Sequence, residues 1–207
     1  MTRPGQSHLR RRAFRLEYVT VLWNTLEGVA SIAAGLLAGS VSLVAFGLDS
    51  SVEVFASLVV IWELRGVDRG RERRALRLIG VGYVVVAIYV GWDASRALLI
   101  GAHPAASPAG MILLAATVVV MATLGVAKLR VGRLLPSPTV RADGRFSLID
   151  ASLALAVLIG LALNATFDWW WADGVLALLI ALLAAREGIE AWRGRDVPAP
   201  LESEPAD

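Results

Sequence analysis

The sequence predicts an all-α membrane protein: a bundle of six transmembrane helices with the N and C termini in the cytoplasm. Hydrophobic residues make up 57% of the 207 positions. Charged residues make up 18%, below the roughly 25% of an average globular chain. Six apolar windows are long enough to cross a bilayer, and nearly all basic residues fall on one side of the topology that these windows define.

Each window contains about 20 mainly apolar residues, the length that a helix needs to cross the hydrocarbon core. The connections between the windows are short and contain Gly, Pro, Asn or Ser, which favour turns. The predicted spans are 17–38, 41–64, 76–99, 109–130, 143–165 and 169–192.

These spans form one transmembrane domain at 17–193. A basic cytoplasmic arm precedes it at 1–16, and we find no cleavable signal peptide there. The polar, Pro-bearing tail at 194–207 is expected to be disordered. The absence of cysteine from the sequence excludes disulfides and thiolate metal sites.

The orientation follows from Lys and Arg in short loops, which favour the cytoplasmic side. Every Lys and Arg except Arg96 lies in the N-terminal arm, the second or fourth connection, or the C-terminal end. Lys128 is assigned to the inner end of the fourth span, so we expect no basic side chain in the apolar cores. Nucleic-acid binding, the other use of such clusters, is not needed to explain them.

Small residues recur along the first span, and Gly35 with Gly39 forms a GxxxG motif. Such spacing lets two helix backbones approach closely. The motif serves packing either within one chain or in a homodimer.

Acidic side chains inside the spans are the strongest functional signal, because an ionised group in the bilayer core costs at least about 2.5–3.5 kcal/mol. Asp49 and Glu53 lie one turn apart on the second span, where like charges repel. Asp150, on the antiparallel fifth span, lies at a depth similar to that of Glu53. Glu27 lies on the first span, with Asn24 one turn before it, and both are predicted as accessory or pathway residues if the first helix lines the cavity.

Three carboxylates that converge on one cavity would bind a divalent cation or protons. We therefore predict Asp49, Glu53 and Asp150 as metal ligands. Asp143 and Ser147 share a face with Asp150 toward the cytoplasm and would line the approach. The alternative is that each acid is protonated and hydrogen-bonded to a neighbouring helix, and for Glu27 the two readings weigh equally.

Two stretches resemble the cation diffusion facilitator family of metal/proton antiporters. SVSLVAFGLDSSVE resembles the signature of its second helix, and RADGRFSLIDASLALAVLIGLALN with WWWADGVLALLIALLAAREGIEAW resembles its fifth and sixth helices. The resemblance implies that Asp49, Glu53 and Asp150 are the metal ligands. Phe146 occupies the position of the family's histidine, and Gly174 that of its proline. An all-oxygen site favours harder ions such as Mn²⁺ or Fe²⁺, or binds zinc less selectively.

The resemblance implies a secondary transporter that exports divalent metal cations of the Zn/Co/Fe/Mn/Cd class, by proton antiport, from a bacterial-type plasma membrane. The family's cytoplasmic metal-sensing and dimerising domain is not found after Trp192. The sequence therefore does not decide whether the protein forms a homodimer. The expected partners are the lipid bilayer, the metal ion and protons, without a cofactor or nucleic acid. The alternative is a non-transporting membrane assembly or sensor protein that retains the fold with a degenerate metal site. An enzyme is not expected, because we find no nucleophile–base pair, phosphate-binding loop or HExxH motif.

Overall fold

A computed structural model of the chain describes residues 4–65, 69–105, 107–135 and 137–193. The described residues form six α-helices joined by short turns and contain no strand. The prediction of an all-α bundle is confirmed. The helices are α1 (Pro4–Ala38), α2 (Val41–Leu64), α3 (Arg69–Ile100), α4 (Pro108–Leu134), α5 (Pro138–Phe167) and α6 (Trp170–Arg193).

Five helices contain segments long and apolar enough to cross a membrane. These segments are Ser7–Ala38, Val41–Trp62, Tyr83–Ile100, Pro108–Leu134 and Asp143–Phe167. The outer face of α1 is apolar, with Leu22, Leu26 and Val29 exposed, as expected for a surface that contacts lipid. The protein is therefore an integral, multi-pass membrane protein. Helix α6 has 24 residues, about 36 Å at 1.5 Å per residue, and its role as the sixth span stays a prediction.

Three helices, α1, α3 and α5, begin five or more residues earlier than the predicted spans. α1 begins at Pro4, so residues 4–16, which the sequence places in an arm, continue the first helix. Arginine is a good helix former, and Ala13 in this segment is fully buried against Val60, Val131 and Val140. Hydropathy locates apolar windows, and four arginines make residues 4–16 too polar for such a window although they are helical. The tail at 194–207 lies outside the described residues.

Helices α1 and α2 pack with their backbones in contact. A Cβ atom added at Gly28 would lie 3.1 Å from the carbonyl oxygen of Gly47, and one added at Gly47 would lie 2.8 Å from the carbonyl oxygen of Gly28. Gly35 of the GxxxG motif also packs within the chain, against Val44 and Ser40. Gly39 has a φ of +68°, which glycine adopts without strain and which makes the tight turn into α2.

Helices α4 and α5 are joined in the same manner. A Cβ atom at Gly125 would lie 2.9 Å from the carbonyl oxygen of Gly144, and one at Gly144 would lie 3.0 Å from the backbone nitrogen of Leu129. Helices α3 and α6 are also joined in this way, because a Cβ atom at Gly188 would lie 2.9 Å from the carbonyl oxygen of Gly80. Of these three glycine-joined pairs, α1–α2 and α4–α5 contribute polar side chains to the site described below.

The main apolar core lies toward the end of the bundle where α2 begins and α5 ends. Leu43 and Phe46 of α2 precede the acidic residues of that helix, and Val157 of α5 follows Asp150. Val90 and Leu114 complete this core from α3 and α4, and all five side chains are almost completely buried. The predicted outer half of the bundle is therefore filled mainly by apolar packing, and the charged groups of the site described below lie at mid-depth and on the predicted inner side.

The start of α2 is held by a carboxylate from α6. Asp173 Oδ1 accepts hydrogen bonds from the hydroxyls of Ser40 (2.5 Å) and Ser42 (2.6 Å), and its Oδ2 accepts one from the backbone N–H of Val41 (2.9 Å). The first N–H groups of a helix have no partner within the helix. Asp173 therefore caps α2 and connects it to α6 at the predicted outer end.

Candidate metal site

Three buried carboxylates meet between α2 and α5. Asp49 and Glu53 lie one turn apart on α2, and Asp150 projects from α5. One carboxylate oxygen from each residue lies within 4.8 Å of the other two. The exposed fractions are 6% for Asp49, 7% for Glu53 and 1% for Asp150. The structure thus brings together the three residues that the sequence predicts as ligands.

The electrostatics of this cluster require a compensating positive charge. Two ionised carboxylates 4.8 Å apart repel by roughly 3–4 kcal/mol at an effective dielectric constant of 20. Burial adds a desolvation cost, so the fully ionised cluster is unstable alone. A divalent cation or added protons would relieve it, and carboxylate oxygens are suitable ligands for hard divalent ions.

The spacing is close to that of a closed coordination shell. Oxygens about 2.0–2.2 Å from a tetrahedral ion lie about 3.3–3.6 Å apart. Since no separation in the set exceeds 4.8 Å, a decrease of at most roughly 1.5 Å would bring all three carboxylates onto one ion. Side-chain rotations supply movements of this size without moving the helices.

Helix α1 contributes polar groups beside the carboxylates. Asn24 Nδ2 donates a hydrogen bond of 2.7 Å to Glu53 Oε2, and Ser50 Oγ donates one of 3.3 Å to Glu27 Oε1. Both α1 side chains are 1% exposed. Thr117 also approaches the Glu27 carboxylate. Asn24 therefore contacts the cluster directly, whereas Glu27 lies next to it and outside the set of three converging carboxylates.

A second charged cluster lies on the predicted inner side of the site. The Lys128 ammonium lies 3.0 Å from Glu17 Oε2, donates a hydrogen bond to Asp143, and lies 3.4 Å from Ser147 Oγ. Lys128 and Glu17 are both fully buried. Asp143 and Ser147, predicted to line the inner approach, therefore contact a lysine. We call Glu17, Lys128 and Asp143 the inner cluster.

The inner cluster corrects the expectation that no basic side chain enters the apolar cores. The sequence pattern assigns Lys128 to the cytoplasmic side because it lies near the end of a predicted span, and counting basic residues gives no signal for Glu17 as its partner. The structure buries both, because each charge has a partner of opposite sign. The sequence does contain a signal for this cluster. Glu17, Lys128 and Asp143 carry opposite charges at similar depth, near the predicted inner ends of three spans.

Phe146 occupies the position at which the family resemblance places a histidine, and its side chain is partly buried. A phenyl ring offers no lone pair to a metal ion. Ligands in addition to the three carboxylates must therefore come from other residues or from water.

The comparison with protein families agrees with this architecture. The model of the cation efflux transmembrane domain matches residues 78–193, more than half of the chain. The chain belongs to the cation efflux family. The matched segment includes Asp150, and the predicted resemblance to cation diffusion facilitators is confirmed.

Relatives of this cation efflux protein cover most of its length. It is 22% identical over 186 residues to Transmembrane protein 163 of Xenopus laevis, and this alignment covers 87% of this chain and 66% of the relative. Magnetosome protein MamB of Magnetospira sp. (strain QH-2) is 24% identical over 184 residues, with 84% and 61% covered. The uncharacterized transporter sll1263 of Synechocystis sp. is 26% identical over 159 residues, with 71% and 51% covered. The chain thus spans about half to two thirds of the length of these relatives.

Proposed function

We propose that this protein is a secondary transporter that exports divalent metal cations from the cytoplasm in exchange for protons. The observation that carries the proposal is the convergence of Asp49, Glu53 and Asp150, all buried, within 4.8 Å of one another. Membership of the cation efflux family supports it. A transporter of this kind binds and releases its substrate without chemical conversion.

The same carboxylates provide the physical basis for exchange. A divalent cation binds deprotonated oxygens, so its binding releases protons. When the ion leaves, the mutual repulsion of three buried carboxylates favours rebinding of protons. The site therefore alternates between a metal-loaded and a protonated form, and each form neutralises part of the same negative charge.

The donor set favours hard ions. Carboxylate oxygens suit Mn²⁺ better than they suit soft ions, whereas imidazole nitrogen suits zinc. Phe146 supplies no nitrogen, so we propose Mn²⁺ or Fe²⁺ as the preferred substrate, with Zn²⁺, Co²⁺ and Cd²⁺ bound less selectively.

Proteoliposomes that contain a pH-sensitive dye test the proposal. A Mn²⁺ gradient should drive proton movement through the wild-type protein, and Asp49→Asn or Asp150→Asn should abolish it. Asp168→Asn is the matched control, because this carboxylate is exposed and asparagine tolerates its positive φ. Unchanged proton flux in both site variants would refute the assignment. A wild-type protein that binds Mn²⁺ without moving protons would instead favour the sensor or assembly protein.

A further inference from the structure

We propose that the side-chain carbonyl of Asn24 is the fourth ligand of the metal site and that this neutral oxygen sets its preference for hard divalent ions. The inference rests on the proposed function, because it assumes that Asp49, Glu53 and Asp150 bind a divalent cation. It assigns a role to α1, which the resemblance does not assign as a ligand helix.

The contact between Asn24 and the site is direct. Asn24 Nδ2 lies 2.7 Å from Glu53 Oε2, a separation shorter than the roughly 3.3 Å between two oxygens around a tetrahedral ion. The side chain is 1% exposed. It therefore already occupies a position from which one of its terminal atoms can join Glu53 on the same ion.

The other terminal atom of Asn24 lacks a hydrogen bond. Its Oδ1 is buried and has no partner among the described residues, whereas buried polar atoms in proteins are nearly always paired. A half-turn about the last side-chain bond exchanges the positions of Oδ1 and Nδ2, which have almost the same shape. The carbonyl then faces the carboxylates. This orientation is unfavourable against a bare carboxylate and favourable when a cation lies between them.

The backbone holds Asn24 at this position. Gly28, one turn along α1, contacts the carbonyl oxygen of Gly47 on α2. Asn24 and Glu53 therefore lie on two helices in backbone contact, and the side-chain amide is positioned before the ion arrives. A ligand positioned in this way loses little conformational freedom on binding.

Two other residues near the site are weaker candidates. Phe146, at the position where the resemblance places a nitrogen ligand, has no donor atom. The carboxylate of Glu27 accepts a hydrogen bond from Ser50 and is not among the carboxylates that converge within 4.8 Å. Asn24, by contrast, donates a hydrogen bond to the predicted ligand Glu53.

The test measures metal affinity and selectivity on the purified full chain in detergent, with Mn²⁺ and Zn²⁺ titrated against a fluorescent chelator. Asn24→Ala should weaken Mn²⁺ binding by about tenfold or more, the lower end of the range for residues that support a metal site. Asn24→His should shift the preference from Mn²⁺ toward Zn²⁺, because imidazole suits zinc. With Co²⁺ as a probe, Asn24→Ala should also change the visible absorption spectrum, because the ion loses one of its ligands, whereas a purely structural role of Asn24 would leave the spectrum unchanged.

Two controls separate the possible outcomes. Ser31→Ala removes a buried hydroxyl two turns along α1 from Asn24 and should leave the Mn²⁺ affinity unchanged. Asp150→Asn should abolish binding. One outcome refutes the inference and leaves the proposed function standing. In that outcome the wild type binds Mn²⁺ and Asp150→Asn does not, but both Asn24 variants retain the affinity, the selectivity and the Co²⁺ spectrum of the wild type. If Asp150→Asn binds metal as the wild type does, the proposed function fails and the inference fails with it. Should Asn24→Ala not fold, Asn24→His and Asn24→Ser decide by the same measurements.

Discussion

Replacement of Lys128 by methionine removes a buried positive charge and keeps a side chain of similar length. Glu17 and Asp143 would then lie near each other in the bundle interior without a partner of opposite charge. The Lys128 ammonium lies 3.0 Å from Glu17 Oε2, an attraction of roughly 5 kcal/mol at an effective dielectric constant of 20. Removing one partner of a buried ion pair typically costs about 3–5 kcal/mol. We expect Lys128→Met to lower the free energy of unfolding by this amount.

The assay is chemical unfolding in mixed micelles, followed by tryptophan fluorescence and circular dichroism. Arg133→Met is the control, because Arg133 is an exposed basic residue on the same helix and its loss should cost less than about 1 kcal/mol. The triple variant Glu17→Gln, Lys128→Met, Asp143→Asn contains no charge in the inner cluster and should recover part of the loss. A Lys128→Met protein within 1 kcal/mol of the wild type, or a triple variant less stable than Lys128→Met, would show that the lysine does not neutralise these carboxylates.

Two further predictions concern helix packing and capping. Gly47→Ala should destabilise the bundle by about 1–3 kcal/mol, because its Cβ would lie 2.8 Å from a backbone oxygen of α1. Gly91→Ala, whose nearest neighbour would be the Cβ of Ala181 at 3.8 Å, should be neutral or stabilising, and equal unfolding free energies for the two variants would contradict this account. Asp173→Ala should lower the free energy of unfolding by about 1–3 kcal/mol because hydrogen bonds to a charged group are lost. It should also speed amide hydrogen exchange at the start of α2, and unchanged exchange at Val41 and Ser42 would exclude a capping role.

The elements that depend on local sequence could be predicted, and those that depend on contacts between distant helices could not. Apolar windows located the helices, and the spacing of Asp49 and Glu53 placed both acids on one face of α2. The extension of α1 to Pro4 was missed, because hydropathy does not detect a polar helical segment.

The inner cluster was missed for a different reason. Its three charges come from three helices, α1, α4 and α5, and each residue alone resembles an ordinary charged residue near the end of a span. Counting basic residues to orient the chain assigns Lys128 to the cytoplasmic side, and only the tertiary arrangement shows that it is buried. The contact between Asn24 and Glu53 depends on the rotation of α1 relative to α2, which the close approach of Gly28 and Gly47 fixes.

The close backbone packing of α1 with α2 and of α4 with α5 has a consequence for how the bundle opens. Because the backbones touch within each of these pairs, we expect α1 to stay with α2 and α4 to stay with α5, and we call the contact between the two pairs the seam. At one depth the Lys128 ammonium bridges that seam, from α4 to Glu17 on α1. Farther from the predicted cytoplasmic side, under the proposed function, a metal ion bridges the seam from Asp150 to Asp49 and Glu53. Under the proposed function, an ion that enters from the predicted cytoplasmic side would reach the inner cluster before the three carboxylates. The Lys128 ion pair across the seam would then have to break before the metal ion could bridge the same two helix pairs.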